Sequence, residues 1–140
     1  MSFTFFQLGI EHGGRPVVLV KRIDVPKAGK EPYKEVVNVY TVRPGMVFVS
    51  PFIVFYSENE VAQAKLLQDG APLIIFERVW GNNAIQPVRL VAETSVDVEI
   101  VNDTAQVDTL WIKISGVEIP RESLAVFIKR LKELGVGFIC

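Results

Sequence analysis

The chain has 140 residues, a formal net charge of −1 and hydrophobic side chains at 49% of its positions. That length suits a single domain over 1–140, and the mean hydropathy of +0.30 indicates either extra burial in an oligomer or a tightly buried monomer. The near-neutral charge gives no general attraction toward nucleic acid or membranes, and the single cysteine, Cys140, excludes a disulfide framework and favours the reducing cytoplasm.

The first half of the chain is predicted to form four strands and then a helix. Alternating apolar and polar side chains predict a strand over 16–25. Pro51 marks an edge or a bulge in the strand over 47–56, an apolar run too short to cross a bilayer as a helix. The sequence Ser57-Glu58-Asn59-Glu60 matches a capping box and predicts a helix over 57–68. The other strands of this half are predicted over 3–10 and 35–42.

The second half is predicted to repeat this order of elements. In the strand over 107–115, Trp111 and Lys113 are predicted to point outward, away from the core. Pro120 favours the start of a helix over 120–134, and Gly135 favours its end. The apolar stripe of this helix follows the i, i+3, i+4, i+7 pattern through Leu124, Phe127, Ile128, Leu131 and Leu134. The other strands of this half are predicted over 72–80, 85–92 and 95–101.

Together these elements predict an α+β fold. It consists of two tandem β-β-β-β-α units, 1–70 and 71–140, with antiparallel sheets packed against two helices. Sequence identity between the halves is slight, so the halves are predicted to share the order of strands and helix but not the residues themselves. No long linker or low-complexity segment divides the chain, and we expect one domain.

No pattern of residues predicts catalysis, a metal or a cofactor. His12 is the only histidine, and a histidine beside Glu11 in a glycine turn is more typical of a solvated loop than of a catalytic or zinc site. The sequence contains no Walker motif, dinucleotide fingerprint or nucleophile elbow. Asp97 and Glu99 alternate along one strand, which is typical of a solvated sheet face. We therefore expect a protein that is not an enzyme.

Aromatic and basic residues form the most informative pattern. Exposed aromatic rings can stack on bases while cations follow the phosphates, which is the surface that single-stranded nucleic acid requires. The candidate stacking residues are Trp80 and Trp111. The candidate phosphate contacts are Arg78, Arg89, Lys113, Lys21 and Arg22, with Lys27 and Lys30 on a flexible basic loop. The alternative is that both tryptophans pack in a dimer interface or under a loop, and that the cations only aid solubility.

The segment Ile112-Lys113-Ile114-Ser115-Gly116-Val117-Glu118-Ile119-Pro120-Arg121-Glu122-Ser123-Leu124 resembles the last strand, polar turn and C-terminal helix of the positive-cofactor transcriptional coactivators. With the two tandem units, it gives the chain a resemblance to the Whirly-type group of single-stranded nucleic-acid-binding proteins. The chain lacks the lysine-rich motif of the plant members. The resemblance implies single-stranded DNA or RNA bound across a sheet face, and oligomers built through the helices.

The leading hypothesis is therefore a single-stranded nucleic-acid-binding protein with little sequence specificity. We expect a homo-oligomer through the C-terminal helix and tail, and no membrane partner. The alternative hypothesis is a structural or assembly protein whose apolar surface serves self-association alone. An enzyme or small-ligand binder with a pocket between sheet and helices is a third possibility, which a deep pocket ringed by Glu11, His12 and a second carboxylate would support.

Overall fold

The computed structural model describes residues 3–76 and 84–135. These residues form eight strands framed by two helices. The elements are α1 (Phe3–Glu11), β1 (Arg15–Val25), β2 (Tyr33–Thr41), β3 (Met46–Ser57), β4 (Gln63–Gln68), β5 (Ala71–Phe76), β6 (Ala84–Ala92), β7 (Ser95–Asn102), β8 (Asp108–Pro120) and α2 (Leu124–Glu133), with a 3-10 turn (Arg121–Ser123) before α2.

The strands form two four-stranded antiparallel sheets. Sheet 1 has the order β1-β8-β3-β6, and sheet 2 has the order β2-β7-β4-β5. The first strand pairs with the eighth, the second with the seventh, the third with the sixth and the fourth with the fifth. This nested pairing of two sheets is the strand order of a jelly roll.

The expectation of an α+β fold with antiparallel sheets and two helices is confirmed, but the tandem arrangement is not. The two helices lie at the two ends of the described chain and do not follow successive groups of four strands. Strands of the first and second halves also alternate within each sheet. Because each half contributes strands to both sheets, neither half forms a sheet of its own.

The main core lies between the two sheets, where the inward side chains of both meet. Strand β7 shows the pattern most clearly, because every second residue is buried. The largest fully buried side chains of this core are Phe48, Ile53, Leu66, Leu90, Ile100, Leu110, Ile112 and Ile114. Asp97 and Glu99 lie on the outer face of sheet 2, as the alternation predicts, and Glu99 is paired there with Lys34 and Lys65.

A second, smaller core lies on the other side of sheet 1, beneath the two helices. The prediction of a strand over 3–10 is wrong, because these residues form α1 and bury Phe5 and Leu8 at helical spacing. The prediction for the last helix is confirmed over α2, which buries Phe127 and Leu131. The rings of Phe5 and Phe127 meet edge to face, with their centroids 5.5 Å apart. Neither helix approaches the length that a bilayer span requires within the described residues.

The prediction of a helix over 57–68 is also wrong. The segment contains the end of β3, a loop and β4. The Oγ atom of Ser57 does accept a hydrogen bond from the amide of Glu60 at 3.0 Å, as the capping box predicts. The chain then leaves the helical path, because Glu60 adopts a φ of 59° and the buried carboxylate of Asp108 binds the amides of Val61 and Ala62.

Pro51 lies at a bulge in β3, as one reading of the sequence predicted. The pairing of β3 with β8 shifts register between Val49 and Phe52. Gly116 lies opposite this bulge, inside β8, which continues beyond the predicted end of the strand at residue 115 as far as Pro120. A Cβ atom at Gly116 would lie only 2.2 Å from the carbonyl oxygen of Val49, and only glycine allows the two strands to approach so closely.

Candidate interaction surface on sheet 1

The two helices cover only half of the outer face of sheet 1. At that end, side chains of β3 and β8 pack beneath α1 and α2, and they are Val47, Val49, Val117 and Ile119. Beyond the bulge at Pro51, neither helix covers the same face in the described part of the chain. The jelly roll thus leaves one end of this sheet face available to another molecule.

The uncovered half consists of short rows of side chains that run across β1, β8 and β3. One row is Arg22, Trp111 and Tyr56, and the next is Val20, Lys113 and Val54. We define the open face as the surface formed by the residues Val18, Val20, Arg22, Val54, Tyr56, Trp111 and Lys113. Val18 and Val20 are 60% and 63% exposed, a degree unusual for two valines on one strand face. A depression of ≈ 660 Å³ over these strands is lined mainly by the same residues and by Glu58.

Trp111 is the centre of the open face, and two charged side chains hold it in place. Its Nε1 atom donates a hydrogen bond to Oε2 of Glu58 at 2.8 Å. The Cζ atom of Arg22, the cross-strand neighbour of Trp111, lies 5.8 Å from the centroid of the indole ring. This distance is in the range of cation–π attraction. Because its N–H group and its neighbouring cation are both engaged, the indole is held in one orientation against the sheet.

The loop that carries Glu58 is fixed from below by Asp108. The Asp108 side chain is buried and accepts hydrogen bonds from Oγ of Ser57 at 2.5 Å and from several loop amides. Those amides belong to Asn59, Val61 and Ala62. Burial alone would raise the pKa of Asp108, but these hydrogen bonds outweigh it and hold the pKa below its usual value. The ionised carboxylate therefore positions Glu58 and, through it, Trp111.

Opposite charges balance over most of the open face. Arg22 pairs with Asp24 at 3.2 Å, and Glu58 adds a second carboxylate at the end of the face. Lys113 has no salt bridge within the described residues. At the open face two cations thus face two carboxylates, and Arg89 lies further away on the edge strand β6, so the field of the open face itself does not strongly favour either sign of ligand.

The structure brings together four of the nine predicted nucleic-acid contacts. Trp111, Lys113 and Arg22 share the open face, as the strand alternation predicts. Arg89 is exposed on β6, between two buried neighbours, and therefore lies on the same side of sheet 1 at its far edge. All four lie on the sheet face that the helices leave uncovered.

The other predicted contacts do not join this group. Lys21 alternates with Arg22 along β1, so it lies on the opposite side of the strand, in line with buried Ile23. Lys27 and Lys30 are exposed in the loop between β1 and β2, as predicted. Arg78 and Trp80 lie outside the described residues. Lys21 and Arg22 therefore do not share one surface, because neighbouring residues of a strand face opposite sides.

A second polar cluster, which the sequence did not reveal, surrounds Glu118. Its side chain is fully buried and its Oε2 atom accepts a hydrogen bond from the hydroxyl of Tyr40 at 2.6 Å. Its Oε1 atom pairs with Nε of Arg43 at 2.6 Å and with Nε of Arg15 at 3.2 Å. Burial opposes the ionised form, but these donors prevail and lower the pKa of Glu118. Only its position at an inward site of β8 could have signalled a buried carboxylate.

His12 shows no feature of a catalytic or metal site. It lies just after α1, where its Nδ1 atom is 3.1 Å from the carbonyl oxygen of Leu8 and its ring contacts Phe127. Across residues 3–76 and 84–135, His, Cys, Asp and Glu form no group of three or more that could hold a metal ion. A cavity of ≈ 180 Å³ between the helices includes Glu11 but not His12. The two residues therefore do not form the pocket that a small-ligand site would require.

Comparisons with known proteins show low similarity. No protein-family model matches the chain, and no curated protein matches it. A solved structure of infectious bursal disease virus strain Gt is similar with a TM-score of 0.34 and 16% identity over 76% of this chain. A structure of strain Gx of the same virus has a TM-score of 0.29 and 15% identity over 89% of this chain. The chain spans 32% and 50% of the length of those two viral chains.

Proposed function

We propose that this chain is a non-enzymatic assembly protein and that its open face docks against the same face of a second copy. The observation that supports this proposal is the exposed patch around Trp111, where an aromatic pair, Trp111 and Tyr56, adjoins exposed valines. Tryptophan, tyrosine and arginine are enriched where proteins meet, and Arg22 adds the third of these types. The jelly-roll order itself favours no function, because capsid subunits, lectins and enzymes share it.

Charge favours a second copy over a polyanion as the occupant. The acidic residues Asp24 and Glu58 lie at one end of the open face, and Lys113 lies nearer the middle. A two-fold axis across the strands can bring the acidic end of one copy toward Lys113 of the other. A nucleic acid would instead place phosphates near Glu58, which costs free energy because like charges repel.

The size of the patch indicates a weak contact. Three strands about 4.8 Å apart, and six steps of about 3.4 Å from Val18 to Asp24, give a flat area of about 300 Å². A stable interface buries about 800 Å² per partner. The open face alone therefore supports a concentration-dependent association, which suits a subunit that makes more than one contact.

Trp111 fluorescence tests this proposal directly. The Trp80→Phe variant keeps Trp111 as its single tryptophan, and acrylamide quenching reports the accessibility of that ring. We expect quenching to weaken by about twofold or more as the protein rises from about 5 µM to about 500 µM, because the second copy covers the ring. Quenching that does not change over this range would overturn the proposal.

A matched pair of variants locates the contact. Trp111→Ala removes the central ring of the open face, whereas Ile75→Ala removes an apolar side chain of 63% exposure on sheet 2. Sedimentation velocity should show weaker association for Trp111→Ala and wild-type association for Ile75→Ala. Equal association of both variants would place the contact elsewhere.

Single-stranded nucleic acid is the second candidate occupant, and one observation favours it. Trp111 and Tyr56 lie side by side with Arg22 and Lys113, which is a stacking platform with cations. In the Trp80→Phe variant, added oligothymidylate should then quench Trp111 at about 50 mM salt and lose its effect as salt rises. Lys113→Glu should weaken this binding. An absence of quenching at low salt would exclude this candidate.

A further inference from the structure

Strand β1 is a free edge of sheet 1 with unusual regularity. Its eleven residues pair with β8 along their whole length without a register shift. Within the described chain, no backbone hydrogen bond outside that ladder involves residues 15–25. The other edge of β1 therefore presents backbone C=O groups and, except at Pro16, N–H groups that have no partner among the described residues, and such an edge readily pairs with another strand.

The other three edge strands are irregular, which makes β1 exceptional. The pairings of β2 with β7, of β6 with β3 and of β5 with β4 each contain a register shift. Bulges of this kind protect sheet edges from pairing with further strands, and β1 has none. The two most exposed valines among the residues that the structure describes, Val18 and Val20, also lie on β1.

We propose that two copies of this chain pair through β1, antiparallel, about a two-fold axis that passes through Val20. The contact is distinct from the open-face contact proposed above, and it does not depend on which occupant that face takes. Val20 is the central residue of β1. An axis there pairs all eleven residues of one β1 with the other and joins the two sheets 1 into one sheet of eight strands.

The charges of β1 favour this register. With the axis at Val20, Val18 lies opposite the partner's Arg22, and Leu19 lies opposite the partner's Lys21. No like-charged side chains then face one another. A two-fold axis through Lys21 would place the two copies of Lys21 opposite each other. An axis through Arg22 would place the two copies of Arg22 opposite each other. Like charges directly opposite destabilise a strand pair.

The pairing would also place the two open faces side by side. Val18 and Val20 belong to both the open face and β1, so the two copies of Val20 would meet at the dimer centre, with each Val18 beside them and opposite the partner's Arg22. The combined surface is about twice the area of one open face, which strengthens any further contact made there. Edge pairing and face docking together would give each chain two different neighbours.

Cysteine cross-linking tests the register. In a Cys140→Ser background, Val20→Cys places two thiols on the axis, with Cα atoms about 4.5–5.5 Å apart, which suits a disulfide. Val18→Cys is the matched control, because Val18 is equally exposed but its two copies would lie four residues, or about 14 Å, apart along the strands. We expect Val20→Cys to form disulfide-linked dimers at least about tenfold faster than Val18→Cys.

Mixed variants provide a second test of the same geometry. Val18→Cys alone and Arg22→Cys alone should form few disulfide-linked dimers on oxidation, whereas their mixture should give a linked heterodimer, since these positions face each other across the axis. Adding Trp111→Ala should leave all cross-links unchanged, because Trp111 lies outside β1. Equal rates of disulfide formation for Val18→Cys and Val20→Cys would overturn the edge pairing, and so would an absence of cross-linking by Val20→Cys. Neither result would affect the proposed open-face contact.

Discussion

The hydroxyl of Tyr40 donates a hydrogen bond to the buried carboxylate of Glu118 and thereby links the two sheets of the sandwich. Tyr40 belongs to sheet 2 and Glu118 to sheet 1. Arg15 at the start of β1 and Arg43 after β2 bind the same carboxylate. One ionised group therefore connects three separate segments at one end of the fold.

Replacing this carboxylate should lower stability without changing the fold. Glu118→Gln keeps the size of the side chain but removes the charge that binds both arginines. We expect a loss of about 2–3 kcal/mol in the free energy of unfolding, since charge-assisted hydrogen bonds of a buried group are lost. Urea denaturation measures this loss. Glu122→Gln, at an exposed position in the next turn, is the control and should change stability little; similar values for both variants would contradict the role of Glu118.

Acid should destabilise the protein through carboxyl groups of lowered pKa. The pKa values of Glu118, Asp108 and Asp69 are lower in the folded chain than the ordinary values of 4.5 and 3.8, so the unfolded chain binds these protons more readily. These carboxylates stabilise the folded chain fully above about pH 5. The stabilisation is lost as the pH falls from the pKa values of the unfolded chain toward the lower pKa values of the folded chain. The urea midpoint should be similar at pH 7 and pH 5 and should then decrease at pH 4 and again at pH 3. The decrease should be smaller in the Glu118→Gln variant. Constant midpoints would contradict this expectation.

Strand alternation was the most reliable information in the sequence. Seven of the eight strands were predicted, and the outward positions of Trp111 and Lys113 are confirmed. The strand order could not be derived, because nested pairing joins residues as far apart as Arg15 and Glu118. Periodicity reports which face of a strand is buried but not which strand lies beside it.

The two segments whose helical or extended state was predicted wrongly are each decided by a contact with a residue far away in the sequence. The capping box at Ser57 is present in its geometry, yet Asp108, some fifty residues later, takes the amides that a helix would have used. Segment 3–10 has aromatic residues at both strand and helix spacing, and burial against Phe127 selects the helix. In each case a tertiary contact outweighs a weak local preference.

The bulge of β3 makes Gly116 a demanding position. Gly116→Ala would place a methyl group 2.2 Å from the carbonyl oxygen of Val49 and 3.0 Å from the ring of Phe48, so the strands must separate. We expect a loss of about 2–4 kcal/mol in the free energy of unfolding, as in other overpacked sites. Gly29→Ala is the control, because a Cβ atom at Gly29 meets nothing within 4 Å. Thermal unfolding should separate the two variants clearly, and a wild-type midpoint for Gly116→Ala would refute the close approach of β3 and β8.

Asp108 connects the stability of the loop after β3 with the position of Trp111. Asp108→Asn turns one accepting oxygen into an amide donor that faces the loop N–H groups, and we expect a loss of about 2–3 kcal/mol in the free energy of unfolding. The loop that carries Glu58 should also loosen, since Ser57 and Ala62 bind one oxygen of Asp108 and Asn59 binds the other, and the variant keeps only one of the two. Hydrogen exchange should then accelerate over 59–62, and the Trp111 emission of the Trp80→Phe variant should shift. Asp103→Asn, at an exposed position in the loop before β8, should change neither property. If exchange accelerates while Trp111 emission stays constant, Asp108 stabilises the loop but does not position the indole.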